Sequence, residues 1–156
     1  MSQVITSQNN IDSLTGLLLP LADRSLLLPN VVVAELIAYR APQTVAGLPS
    51  WLLGQIAWRN LQLPLLSFEA ASGGETRIGS DARVAVLNAL GGREQVKFIA
   101  LLVQGIPRSV KIDDNLQRAN SELAPLELDA VQLGETVAKI PDLVGLEQKL
   151  ADAGLI

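Results

Sequence analysis

The chain has 156 residues, 49% of them hydrophobic and 18% charged, with a formal net charge of −4. That is the size of one domain, or of two tightly joined subdomains, with a real core, and it excludes a disordered polyelectrolyte. There is no cysteine and no histidine, which excludes disulfides, thiolate metal sites and cysteine nucleophiles and removes the commonest general base and metal ligand.

Aromatic residues make up 3% of the chain, so Leu, Val, Ile and Ala must build the core. The 12 Lys and Arg are scattered and form no basic surface for nucleic acid or anionic membranes. The first residues, Met1 to Ile11, have neither the basic nor the apolar stretch of a secretory signal and read as a flexible arm over residues 1–14, ahead of a single domain at 15–156. Residues 41–58 carry no charge, but Pro42, Gly47 and Pro49 break the run, so no spanning helix is expected and the protein reads as cytoplasmic.

Short apolar runs alternate with turn signals, as in small β folds. Leu17 to Leu21 and Leu26 to Leu28 flank Ala22 to Ser25 and predict a hairpin, although such Leu-rich runs also suit a helix. Val31 to Val33 favour a strand, and Ala34 to Ile37 a helix, leaving the segment to Tyr39 open. Ala41 to Ser50 is a loop by composition, followed by a short helical turn over Trp51 to Gln55. Ile56 to Trp58 and Leu61 to Phe68 predict two strands meeting at Arg59 and Asn60, with Pro64 making the second an edge or bulged strand. Gly73, Gly74 and Gly79 mark residues 70–80 as a flexible connection and a subdomain boundary.

Beyond it, Ala82 to Leu90 and Val96 to Gln104 predict a hairpin across Gly91 and Gly92. Gly105 to Pro107 turn the chain into a strand over Arg108 to Ile112. Asp113 to Glu122 is polar and reads as a loop. Val131 to Leu133 and Thr136 to Ile140 are short strands about Gly134. Leu143, Leu146 and Leu150 fall at helical spacing and predict a C-terminal helix at about 141–153, with Pro141 in its first position, Asp142 at its positive end and Gly154 stopping it.

The search for chemistry returns little. No Lys-Ser or Lys-Thr follows Gly73-Gly74, so there is no phosphate-binding loop. Asp113-Asp114 reads as a solvated turn rather than a cation site. Ser50, Ser67, Ser72 and Ser80 have no histidine to activate them, and Lys97, Lys111, Lys139 and Lys149 would act as bases only if desolvated. Catalytic residues, cofactors and metals are therefore not expected. Trp51 and Trp58 read either as core or, for one of them, as an exposed anchor for a partner.

From Leu48 to Phe68 a longer pattern emerges. Leu48-Pro49, Trp51-Leu52-Leu53-Gly54, Ile56, Arg59-Asn60 and Leu63-Pro64-Leu65-Leu66-Ser67-Phe68 occur in that order. This resembles the signature of CheW-like chemotaxis adaptor domains: a Pro, an aromatic, a Gly-Val-Ile step, an Arg-Gly turn and an apolar-Pro-apolar strand. Leu28-Pro29 with Val33 and Glu35 is similar to the family's first strands and Val-x-Glu-Ile step, and Ala85 to Leu90 with Phe98 to Val103 to its second hairpin. The resemblance spans roughly residues 17–140.

It implies an all-β fold of two small five-stranded, SH3-like β-barrel subdomains. It also implies a non-enzymatic adaptor between the cytoplasmic tip of methyl-accepting chemoreceptors and the regulatory domain of a CheA-type histidine kinase. The partner-binding Arg of the family's Arg-Gly turn falls on Arg59. Trp58 and Asn60 flank it, and Val33 and Glu35 form a second candidate patch. The alternative for Arg59 is an internal salt bridge, and for Val33 a place in the core. Asn60 stands where the family has Gly. Asn tolerates the left-handed backbone, and the departure suggests a specialised member, of a chemosensory system serving type IV pili. The competing functions are a small-molecule-binding domain and a self-associating structural β-domain.

Overall fold

A computed structural model describes residues 13–44, 46–113 and 116–156. The expected arm lies outside these residues, except that Ser13 and Leu14 already belong to the first strand. The elements are β1 (Ser13–Pro20), β2 (Ser25–Pro29), a 3-10 turn (Asn30–Val32), β3 (Val33–Ala38), β4 (Leu52–Trp58), β5 (Leu61–Leu66), α1 (Phe68–Ala71), β6 (Arg83–Asn88), β7 (Phe98–Val103), β8 (Arg108–Asp113), β9 (Gln117–Arg118), β10 (Glu127–Leu133), β11 (Thr136–Pro141) and α2 (Leu143–Asp152).

The strands form two sheets, ordered β8-β1-β2-β11-β10-β9 and β3-β6-β7-β5-β4. The protein is all-β, with two β subdomains and a C-terminal helix. The first sheet has six strands rather than five, because two residues of the expected polar loop, Gln117 and Arg118, pair with β10.

Each subdomain has its own apolar interior. Leu18, Leu27, Val131 and Ala138 fill the first, and Ile56, Trp58, Leu63, Leu65, Val84, Val86 and Leu102 the second. A third and larger cluster joins the subdomains. Leu19, Leu26 and Leu28 meet Leu66, Phe68, Leu87, Ile99 and Leu101 there, and the Leu143, Leu146 and Leu150 face of α2 closes it. Successive residues of β2 therefore serve different cores, Leu27 one and Leu26 and Leu28 the other, because strand side chains alternate between faces.

Several expectations need correction. Residues 70–80 do not separate the subdomains, since β5 and β6 on either side lie in the same sheet. The chain passes from one sheet to the other at the 3-10 turn after β2 and returns between β7 and β8, so the second subdomain is inserted into the first. Trp51 to Gln55 is not a helical turn: Leu52 onward is β4, antiparallel to β5, with a register shift between Leu52 and Gly54. Gly54 has φ of 142°, and a Cβ there would strike the Gln43 carbonyl. Phe68 leaves the strand to begin α1, whose first turn is capped by the Ser67 hydroxyl accepting from the Ala70 N–H. Pro141 ends β11 rather than starting α2, and Asp142 is the N-cap, its carboxylate accepting from the Gly145 N–H at 2.9 Å.

Pro64 does not make β5 an edge. β5 lies between β4 and β7, but its parallel ladder with β7 holds only Leu65↔Ala100 and Leu66↔Leu101. Opposite Pro64, the N–H and C=O of Gln55 both bond to Gln43, away from β5. Ladder alternation then turns the Pro64 backbone toward β7. The next bond toward the start of β7 would need a Pro64 N–H, which does not exist. The proline ends the ladder instead of ending the sheet.

Candidate functional site

The β4–β5 connection is a two-residue turn with both central residues left-handed, φ of 47° at Arg59 and 64° at Asn60. This is the type I′ geometry whose twist matches that of a hairpin. It demands residues that tolerate positive φ, which Asn60 does and Arg59 does at some cost.

The turn lifts Arg59 out of the sheet, leaving its side chain 69% exposed. Two contacts hold it, and a third links the partners that make them. Its Nη2 donates to Glu35 Oε1 at 3.0 Å, its guanidinium lies 4.7 Å above the Trp58 ring, and Trp58 Nε1 donates to the same Glu35 oxygen at 3.0 Å. Glu35 therefore satisfies the one polar atom of a buried tryptophan and orients the exposed arginine with a single oxygen. Phe98 supports Trp58 edge-on, with ring centroids 4.8 Å apart.

Glu35 lies on β3 and Trp58 at the end of β4, the two edge strands of the five-stranded sheet. Side chains thus join the two edges of that sheet. The stabilising worth of the seam is modest where it is exposed. An ion pair so open to water contributes about 0–1 kcal/mol, and a solvent-facing cation–π contact about 0.5–1 kcal/mol.

Of the residues singled out in the sequence, Arg59, Trp58 and Glu35 form one cluster, with Asn60 beside them in the turn. Val33 does not join it. A register shift between Val33 and Glu35 separates their faces, and Val33 packs half-buried against the large core. Neither tryptophan is an exposed anchor: Trp58 is 6% and Trp51 8% exposed. Trp58 serves as the platform under Arg59, and Trp51 lies in the large core beneath the Lys149 ammonium. The internal ion pair weighed for Arg59 exists, but at the surface.

Phe98 completes the site and was not singled out for it. Its only sequence signal is that aromatic residues are scarce. Among the described residues no group of three or more acidic side chains could hold a metal ion, and no helix is long and apolar enough to cross a membrane.

The family model of the CheW-like domain matches residues 15–150. No curated protein matches the chain. Among solved structures, the scaffolding protein TtCheW from Thermoanaerobacter tengcongensis superposes with a TM-score of 0.70 at 17% identity, over 83% of this chain and 84% of that one. The family match over residues 15–150 takes in both sheets, the Glu35–Trp58–Arg59 cluster and most of α2, and the chain belongs to the CheW-like domain family.

Proposed function

We propose that this protein is a non-enzymatic adaptor of chemotaxis-type signal transduction, coupling chemoreceptor tips to the regulatory domain of a CheA-type histidine kinase. Membership of the CheW-like family supports the adaptor role. The observation that carries the contact residue is the held geometry of Arg59. Its guanidinium is pinned on one side by Glu35 and stacked on Trp58, and it remains open to water on the other. An arginine ordered before binding loses less side-chain entropy when a partner carboxylate arrives. Asn60, where the family has Gly, lies at the rim of the same contact and fits a specialised partner. In this reading that partner belongs to a system driving type IV pili and twitching motility.

Binding of the full chain to a purified kinase regulatory domain and to a receptor tip is the direct test. Arg59→Ala is expected to weaken kinase binding by about 2 kcal/mol, the scale of a hot spot, while moving the melting temperature little. If neither partner binds the native chain, the adaptor reading fails. A neighbouring gene for a kinase together with pilus-type response regulators would support the pilus assignment, and flagellar neighbours would overturn it.

A further inference from the structure

The ladder that Pro64 cuts short leaves a fork in the five-stranded sheet. β5 and β7 are joined at Leu65 and Leu66 and part below them. By register, Gln62 turns its N–H and C=O into the fork from one wall, because residues two apart on a strand point the same way. Lys97 gives its carbonyl to the Ala89 N–H on the far side, so Phe98 turns its own N–H and C=O into the fork from the other wall.

The space between is a half-open pocket of about 290 Å³, lined on its apolar side by Leu63, Pro64, Phe98, Leu155 and Ile156. It runs on, past Gln55, Pro64 and Leu155, into a second hollow of about 170 Å³ against Leu48 and Leu52. Leu61 stands 43% exposed at the mouth. Lys97 carries the only charged side chain of the lining, and Gln55, Gln62 and Gln95 supply its side-chain amides.

We propose that this fork is a docking groove for an extended segment of a partner protein bearing alternating apolar residues and an acidic residue at one end. Strand edges that offer both donor and acceptor select an extended backbone. The apolar floor accepts side chains of one face of that strand. Lys97, in a lining with no acidic side chain, selects the carboxylate. This groove shares Phe98 with the Glu35–Trp58–Arg59 seam but includes none of those three residues, and its use as a docking site stands whether or not Arg59 binds a kinase.

The test uses the full ¹⁵N-labelled chain and the peptide acetyl-Asp-Val-Thr-Val-Leu-amide, with acetyl-Lys-Val-Thr-Val-Leu-amide as the charge-reversed control. The expected result is a saturable shift of the Gln62, Leu63 and Phe98 amides, weaker for the Lys peptide by about threefold to fivefold, the worth of one exposed ion pair. Lys97→Glu is expected to reverse that preference without altering thermal unfolding. Gln62→Pro, which deletes the inward N–H at a position not bonded to β4, is expected to weaken both peptides. No shift at millimolar peptide, shifts confined to other surfaces, or an affinity indifferent to both substitutions would each overturn the proposal.

Discussion

Asn60 shows how one residue can keep a family turn without the family's residue. Its φ of 64° is a region that Gly enters freely, Asn tolerates and β-branched residues enter only under strain. Asn60→Gly is expected to leave stability unchanged or raise it slightly, and Asn60→Val to lower it by about 1–2 kcal/mol, as measured by urea unfolding. Trp58 is the opposite case, a buried residue whose role is felt at the surface. Trp58→Phe keeps most of the apolar volume but removes the bond to Glu35. Kinase affinity is expected to fall because Arg59 loses part of its platform, and Glu35→Ala should reproduce that loss with less effect on stability.

At the level of the element, α2 is a clamp as well as a lid on the core. Its buried Glu147 accepts from the Leu90 N–H at 2.7 Å and the Gly91 N–H at 3.0 Å. The helix thereby satisfies the backbone of the β6–β7 loop, where Arg93 Nη1 approaches the same carboxylate at 3.8 Å. A Cβ at Gly91 would meet the side-chain ends of Glu147 and Arg93, so a larger residue there would push aside the carboxylate that caps the loop. Glu147→Ala leaves two donors without their partner. The expected cost is about 2–4 kcal/mol, with hydrogen exchange of the Leu90 and Gly91 amides rising first. Asp142→Ala, which removes the helix cap, is expected to cost about 1 kcal/mol.

Across the whole molecule, Arg24 ties the two subdomains together. It sits in the β1–β2 turn, and its Nη1 donates to Glu127 of β10 at 2.8 Å and to Ser72, just past α1, at 2.7 Å. Its guanidinium also faces the Phe68 ring of α1 at 5.7 Å. Lys139 donates to the other Glu127 oxygen at 2.8 Å. Burial pushes the Glu127 pKa up, but the Lys139 hydrogen bond, the Ala124 N–H and the charges of Lys139 and Arg24 outweigh it and hold the carboxyl below its ordinary value. The Arg24 hydrogen bond, against a smaller opposing effect of burial, lowers Asp23 in the same direction.

Carboxyls with depressed folded values stabilise the native state above their ordinary range, and that contribution is lost as pH falls through the folded values. Stability is therefore expected to hold from about pH 7 to about pH 5 and to drop below about pH 4, as read from urea midpoints. Glu127→Gln should be less stable at neutral pH and show a shallower fall in acid. Glu127→Ala takes from the largely buried Lys139 its carboxylate partner, while Arg24 keeps its pair with Asp23, and is expected to cost about 3 kcal/mol.

The sequence by itself determined the hairpins, the C-terminal helix and the absence of cysteine and histidine side chains. Alternation, turn residues and leucine spacing are local properties, and composition needs no fold. It also carried the Arg59 turn, because Leu48 to Phe68 is one continuous pattern. Only the tertiary structure decided how the sheets divide. Glycine-rich residues 70–80 look like a boundary because a flexible connection has the same composition whether or not its flanking strands share a sheet. It also decided that Glu35, 24 residues from Arg59, belongs to the same cluster while nearby Val33 does not: a bulge turns the strand between them, and bulges leave little trace in composition. Pro64 reads as a mark of weakened pairing on sequence alone. Which neighbour loses the bond depends on where β7 lies, and that is fixed by packing far along the chain.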